Sequence, residues 1–262
     1  PCVSRNTSRL SPVAGGSCVN DPVADPSVVE DLPRSGTRRV AAIGNTDGMR
    51  EWAILGPLDE AQRREVRQSA VRRRYRNGDT LFHQGDPGDS FHLLDKGHIA
   101  VRIVSRQGDT VTLDIMEPGD SFGEQSILSP EHRRTASVVA IGDVETLMLH
   151  RDAFDALRQR HPEVSEVLVE LLAAQVRRLS GQVMDAHALS ADERVRKQLR
   201  RMASGFEVDG AAVIPITQED LASLAGTTRP TANRALQTLV VDGIVRLHRG
   251  RIEVPAVDRL PS

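Results

Sequence analysis

Between Pro118 and Ala140 the chain reads PGDSFGEQSILSPEHRRTASVVA, and four residues in it could hold an anion that carries a sugar. Gly123 lets backbone N–H groups approach a phosphate closely, and a short helical segment starting at Glu124 would turn its positive end the same way. Ten residues after Glu124, Arg134 offers a planar fork for the anion and Thr135 a hydroxyl donor. Glu124, an acceptor when ionised, suits a ribose hydroxyl. Residue chemistry leaves two readings open. One is a ligand with both phosphate and ribose; the other is a ligand-free fold in which Glu124 and Arg134 pair with each other.

A second constellation lies in ITQEDLASLAGTTRPTANRALQTLVVDGIV. Thr217 followed three residues later by Asp220 marks a helix start related to the capping box. Leu221, Leu224 and Ala225 make its apolar side, and Gly226 ends it where a left-handed residue is commonly required. Thr228 is expected to cap a second helix whose first turn holds Arg229 and Pro230. Ala235, Leu236 and Leu239 face inward, which leaves Arg229, Thr231, Asn233 and Arg234 near the outward face or the N-terminal end. RLHRGRIEV reads as a hairpin turning at Gly250, beside Arg249. Two helices with such a wing place the start of the second helix in the major groove of DNA. Arginine there suits guanine O6 and N7, and hydroxyls suit phosphate oxygens. The expected DNA-contacting set is Thr217, Gln218, Thr228, Arg229, Thr231, Asn233, Arg234 and Arg249. From Thr227 to Arg251 five Arg stand against one Asp, a local +4 on a chain of net charge −2.

Other chemistries find little support. A chain of −2 is no whole-chain polycation, so a nucleic-acid role must be local. Cys2 and Cys18 fall short of the four thiolates of an iron–sulfur cluster and of a disulfide framework. His83, His92, His98, His132 and His150 show none of the close pairing of a metal-dependent β-roll enzyme of the cupin kind, so no metal is expected. No Ser/His/Asp or Cys/His arrangement stands out, and an enzyme is not expected. No apolar run approaches the ~18 residues of a membrane span, and the first thirty residues lack the apolar core of a secretory signal. The expected location is the cytoplasm, with no membrane partner.

The elements that must position these residues are legible in outline, as an α+β protein. Residues 1–48 are rich in Ser, Pro, Gly, Asn and Asp without a sustained period and read as a disordered tail; Met49 is a candidate alternative start. Residues 49–152 hold short apolar segments between glycine turns at Gly78, Gly85, Gly88, Gly97, Gly108 and Gly119, the pattern of a β-roll of around eight strands. Residues 153–189 turn helical. A short helix is broken at Pro162, and a long one to about Ala188 carries Val164, Val167, Leu168, Leu171, Leu172, Val176, Leu179 and Val183 on one side. That stripe is longer than one face of a small roll can bury, so a second copy of the chain is the natural partner. A hinge is expected at Leu189–Asp192, and residues 190–262 form the winged helix-turn-helix, with a first hairpin turning at Asp209-Gly210.

Taken together, the glycine-spaced roll, F-G-E with R-T-A, the long helix and TQEDLASLAGTTRPTANR resemble the Crp/Fnr family of bacterial transcription regulators over residues 52–256. The resemblance implies a homodimer with an N-terminal cyclic-nucleotide-binding roll, a long dimerisation helix and a C-terminal winged helix. It implies binding to a near-palindromic double-stranded DNA site, with RNA polymerase a further candidate partner. In members that bind cyclic AMP, the glycine backbone and the Arg-Ser/Thr pair hold the phosphate and the Glu holds the ribose; these roles fall on Gly123, Glu124, Arg134 and Thr135. The adenine-side Thr-Ser pair of such members is replaced by Gln182 and Val183, with Gln182 still able to bond the base. Arg229 and Arg234 match the recognition arginines, and Thr228 a phosphate-contacting hydroxyl. A glutamate that follows the first of those arginines in one member is Pro230 here, so the half-site is expected to be less constrained at that base pair. Cyclic AMP is the expected effector. The alternatives are the same regulator with another ligand or with effector-independent binding, and a cyclic-nucleotide module that docks on a protein.

Overall fold

The computed structural model describes residues 52–105 and 107–261, which form one compact unit. The expected tail at residues 1–48, with Cys2 and Cys18, and Met49 lie outside the described residues. After a 3-10 turn at Ala53–Leu55, helix α1 (Glu60–Ser69) starts on a full capping box between Asp59 and Gln62. The sheet that follows is antiparallel, in the order β1 (Val71–Tyr75), β6 (Ser137–His150), β3 (Ser90–Val104), β4 (Thr110–Met116). In it β2 (Thr80–Phe82) pairs with β6, and β5 (Ser121–Phe122) with β3. The helix α2 (Glu124–Leu128) lies between β5 and β6.

Among the described residues six strands stand where the turn signals suggested about eight. Gly97 (φ 76°) and Gly142 (φ 74°) bend β3 and β6 without ending them. The ladder runs from Ser90↔His150 to Arg102↔Ser137 and shifts register around Gly97. A Cβ at Gly97 would lie 2.3 Å from the Asp143 carbonyl oxygen, so only glycine admits this corner. One apolar cluster gathers Leu94, Ile99, Phe122, Val138, Ala140 and Val144 inside the roll. Another joins Phe91 and Leu149 to Trp52, Phe154, Val164 and Leu168, seating the helices on the sheet.

Helix α3 (Arg151–Arg160) leads to α4 (Pro162–Ala188), with Pro162 in the first turn, where its missing N–H costs nothing. The break to α5 (Ala191–Gly205) is confined to Leu189 and Ser190, shorter than the expected hinge, because Ser190 and Glu193 form a capping box that starts α5 early. The hairpin of β7 (Glu207–Val208) and β8 (Ala211–Ile214) turns at Asp209-Gly210, both left-handed. Helices α6 (Gln218–Leu224) and α7 (Arg229–Val241) follow, then β9 (Arg246–His248) and β10 (Arg251–Val254), which complete a sheet of order β7-β8-β10-β9. Among the described residues no helix is long and apolar enough to cross a membrane.

Candidate functional site

Gly123 sits between β5 and α2 at φ 94°, and a Cβ there would lie 2.7 Å from Arg134 Nη1 and 2.8 Å from the Ser90 carbonyl oxygen. Glycine is therefore required both by the backbone and by the closeness of the arginine. Arg134, one residue past the bridge that joins Pro87 to Arg133, is only 4% exposed. Its Nη1 donates to Ser126 Oγ (2.9 Å) and to the Gly123 carbonyl (3.3 Å), its Nη2 to Ser90 Oγ (2.7 Å). The guanidinium carbon stands 4.0 Å from the Phe82 ring centroid. Nε is buried and has no partner. Burial pulls the guanidinium pKa down, opposed by the carboxylates of Asp89, Glu124 and Asp86.

Arg134 does not pair with Glu124, so the ligand-free ion pair that the residues left open does not form. Glu124 lines a cavity of about 370 Å³ instead, a volume in the range of small-molecule sites. Asp114, Met116, Asp120 and Ser121 of the roll line it too, with Leu172, Gln175 and Arg178 of α4. Arg201, Met202, Gly205 and Phe206, at and just beyond the end of α5, complete its lining. Asp114 binds Arg178 and Arg201 together, tying β4 to both helices. Burial pushes Asp120 up to about 6 and raises Glu124.

The predicted ligand residues are thus only partly assembled. Gly123 meets Arg134, and the Thr135 hydroxyl donates to Gln125 Oε1 at 3.0 Å, but of Gly123, Glu124, Arg134 and Thr135 only Glu124 lines the 370 Å³ cavity. Gln182 is elsewhere: it lines a second cavity of about 160 Å³ with Thr112, Leu113, Arg194, Gln198 and Ser223. The polar groups that α4 presents to the Glu124 cavity are Gln175 and Arg178, one to two turns earlier. Sequence reasoning missed Ser90, Ser126, Asp114, Arg178 and Arg201. Only the alternation of Ser90 and His92 on one face of β3 hinted at a built polar group there.

In the helix-turn-helix, Thr217 and Asp220 form the expected capping box and Gly226 (φ 59°) ends α6. Thr228 holds the N-cap position of α7, but its hydroxyl bonds Thr231 Oγ1 at 3.1 Å instead of a backbone N–H. Pro230 in the second helical position removes one of the two amides a cap can serve. Thr217, Thr228, Arg229, Arg234 and Arg249 are exposed, while Gln218, Thr231 and Asn233 are half-buried. Asn233 donates to Gln218 Oε1 at 3.0 Å, so these two act as a pair. The side chains of Arg229, Arg234 and Arg249 have no hydrogen bond or ion pair among the described residues, which leaves three guanidiniums free for an outside anion or base. Among the described residues no group of three or more His, Cys, Asp or Glu is placed to hold a metal.

Residues 72–161 match the cyclic nucleotide-binding domain and residues 193–261 the Crp-like helix-turn-helix domain. The chain is 33% identical over 187 residues to the CRP-like cAMP-activated global transcriptional regulator of Mycobacterium tuberculosis, covering 70% of this chain and 83% of that one. It is 36% identical over 183 residues to the cyclic AMP receptor protein of Thermus thermophilus, with the same coverage. The fold is shared with the c-di-GMP responsive global regulator CLP of Xanthomonas campestris, at a TM-score of 0.65 and 16% identity, over 76% of this chain and 100% of that one. A cyclic-nucleotide-binding domain joined to a DNA-binding helix-turn-helix of this type makes the chain a member of the Crp/Fnr family, whose proteins are transcription regulators and not enzymes.

Proposed function

We propose that this regulator is a homodimer in the cytoplasm whose affinity for a near-palindromic DNA site is set by cyclic AMP. The observation that carries the reading is the cavity shared by Glu124 of the roll and by Arg201, Met202 and Phe206 of the DNA-binding half. A ligand there touches the sensing sheet, α4 and the far end of α5 at once. It shifts the orientation of α7 by as much as its affinity differs between the two arrangements. The glycine-only approach of Gly123 to Arg134 and the unpaired Nε of Arg134 suit a phosphate. Glu124 suits the ribose, Thr135 offers a hydroxyl to the phosphate, and Gln182 is in reach of a ligand only through a neighbouring copy or a shift of α4.

The dimer reading rests on α4. Val169, Val176 and Val183 recur every seven residues and are 58–64% exposed; Leu172 and Leu179 follow at the intervening positions. β-Branched residues alternating with leucine in this register favour two parallel helices. Two copies so joined present two α7 helices, and Thr217, Gln218, Thr228, Arg229, Thr231, Asn233, Arg234 and Arg249 are the groups that meet DNA. RNA polymerase is the further partner of a regulator that activates from such a site.

The test is the affinity for a selected genomic DNA site with and without cyclic AMP at fixed salt. A gain of roughly tenfold or more, about 1.4 kcal/mol of coupling, supports the reading, and Arg134→Ala should remove the gain. Binding that ignores cyclic AMP but responds to cyclic di-GMP would replace the ligand. Binding that responds to neither would leave a regulator without this effector.

A further inference from the structure

Behind Arg134 stands a buried polar chain that has no part in the reading above. Ser90 Oγ, which accepts from Arg134 Nη2 at 2.7 Å, lies 3.2 Å from His92 Nε2, and His92 Nδ1 lies 3.3 Å from Thr146 Oγ1. Ser90, His92 and Thr146 are 6%, 3% and 0% exposed. An arginine only donates, so the Ser90 oxygen accepts from it and the Ser90 proton needs an acceptor of its own. His92 Nε2 is that acceptor, which leaves Nδ1–H to donate to Thr146. The ring itself is clamped: it stacks on Phe122 at 4.9 Å and tilts against Phe82 at 5.9 Å, the ring that also carries the Arg134 guanidinium. In a chain with seven aromatic residues, two of them and this histidine are spent on one arginine. Burial first, then the charges of Arg134 and Arg73, opposed by Asp89, keep His92 neutral, with its pKa lowered to about 3.

We propose that His92, acting through Ser90, is a positioning residue for the anion-binding guanidinium: it fixes Nη2 so that the unpaired Nε–H edge is held in one place for a phosphate. This rests on Arg134 being the phosphate group's partner. The relay matters because Arg134 is also drawn to Ser126 and the Gly123 carbonyl. A guanidinium tethered at one corner trades those contacts for phosphate oxygens without losing its orientation. A buried hydrogen bond to a charged group, strengthened by its own partner, is among the stronger kinds.

The experiment measures cyclic AMP affinity of the full chain by calorimetry for wild type, Ser90→Ala, His92→Phe, the double variant, His92→Gln and Arg134→Ala. Thermal unfolding is measured alongside. Each of Ser90→Ala and His92→Phe should weaken binding roughly tenfold, and the double variant should be no weaker than either, because the two act in series. His92→Gln, which keeps an acceptor and a donor, should recover most of the loss. Nitrogen-15 spectra of the ligand-free wild type should show His92 as the neutral Nδ1–H tautomer. Wild-type affinity in His92→Phe, fully additive losses, or the opposite tautomer would each overturn the relay while leaving the phosphate site standing. No binding by wild type, or no loss in Arg134→Ala, would overturn the phosphate site and the relay with it.

Discussion

Arg102 of β3 and Asp220 of α6 meet at 2.8 Å, joining the roll to the first helix of the helix-turn-helix. The Asp220 carboxylate also takes the Thr112 hydroxyl of β4 at 3.0 Å and the Thr217 hydroxyl at 2.7 Å. Although burial alone would raise it, the Thr217 bonds, the Arg102 charge and Thr112 hold its pKa below the ordinary aspartate value. A bulge at Leu113, where Arg102 pairs with Thr112 and Val101 with Asp114, turns the Thr112 N–H out of the ladder and onto Ser223 Oγ at 2.6 Å. One carboxylate thus caps α6 and anchors it to the sheet of the roll.

Arg102→Ala cuts the anchor and spares the cap. It should cost about 1–2 kcal/mol of stability and shrink the effect of cyclic AMP on DNA affinity severalfold. Asp220→Ala should cost about 1 kcal/mol more, since the cap is lost as well. Chemical unfolding with paired DNA titrations reads both; full coupling in Arg102→Ala would show that this contact does not transmit the signal.

Ser126 occupies Arg134 Nη1 at 2.9 Å while donating to the Gly123 carbonyl at 2.9 Å, and so competes with any phosphate for that nitrogen. Ser126→Ala should lower ligand-free stability by about 1 kcal/mol and tighten cyclic AMP binding several-fold. Unchanged or weaker binding by calorimetry would place Ser126 on the side of the ligand instead of against it.

Asp120 holds its proton up to about pH 6 in the folded chain, because it is buried and lies beside Glu117 and Asp114, opposed by the Glu117 N–H that donates to it and by the Arg178 charge, whereas an ordinary aspartate releases it at 3.8. The folded state therefore binds more protons between those values, and stability falls as pH rises through that window, then levels off. Asp120→Asn should flatten this fall and raise the melting temperature at pH 7.5 more than at pH 4. Melting curves across pH check it, and an identical pH profile in the variant would remove Asp120 as the cause.

Pro230 gives the first turn of α7 no acceptor for a cytosine amino group. DNA selection should return one base pair per half-site with little preference, and Pro230→Glu should sharpen it toward cytosine. A strong cytosine preference already present in wild type and unmoved by the substitution would contradict this.

Much of the architecture is decided by near neighbours along the chain. The capping box at Thr217-Asp220, the left-handed Gly226 and the apolar stripe through Val176, Leu179 and Val183 depend on residues a turn or two apart. Side-chain size and backbone freedom act over that range, so the elements and the winged helix-turn-helix were legible without coordinates. Eight expected strands became six because a glycine can bend a strand as well as end it, and the choice is made by the partner strand.

The site is another matter. Arg134 was legible as an anion fork, yet its burial follows from Ser90, 44 residues away and brought in by the β3–β6 ladder and the bridge at Arg133. Asp220 was legible as a cap and not as an anchor, since Arg102 is 118 residues distant. Gln182 was placed by counting, and the pitch of α4 faced it toward another cavity. Spacing along the chain determines which chemistry a segment can offer. Strand register and helix facing, which arise from packing of the whole, decide which offers meet.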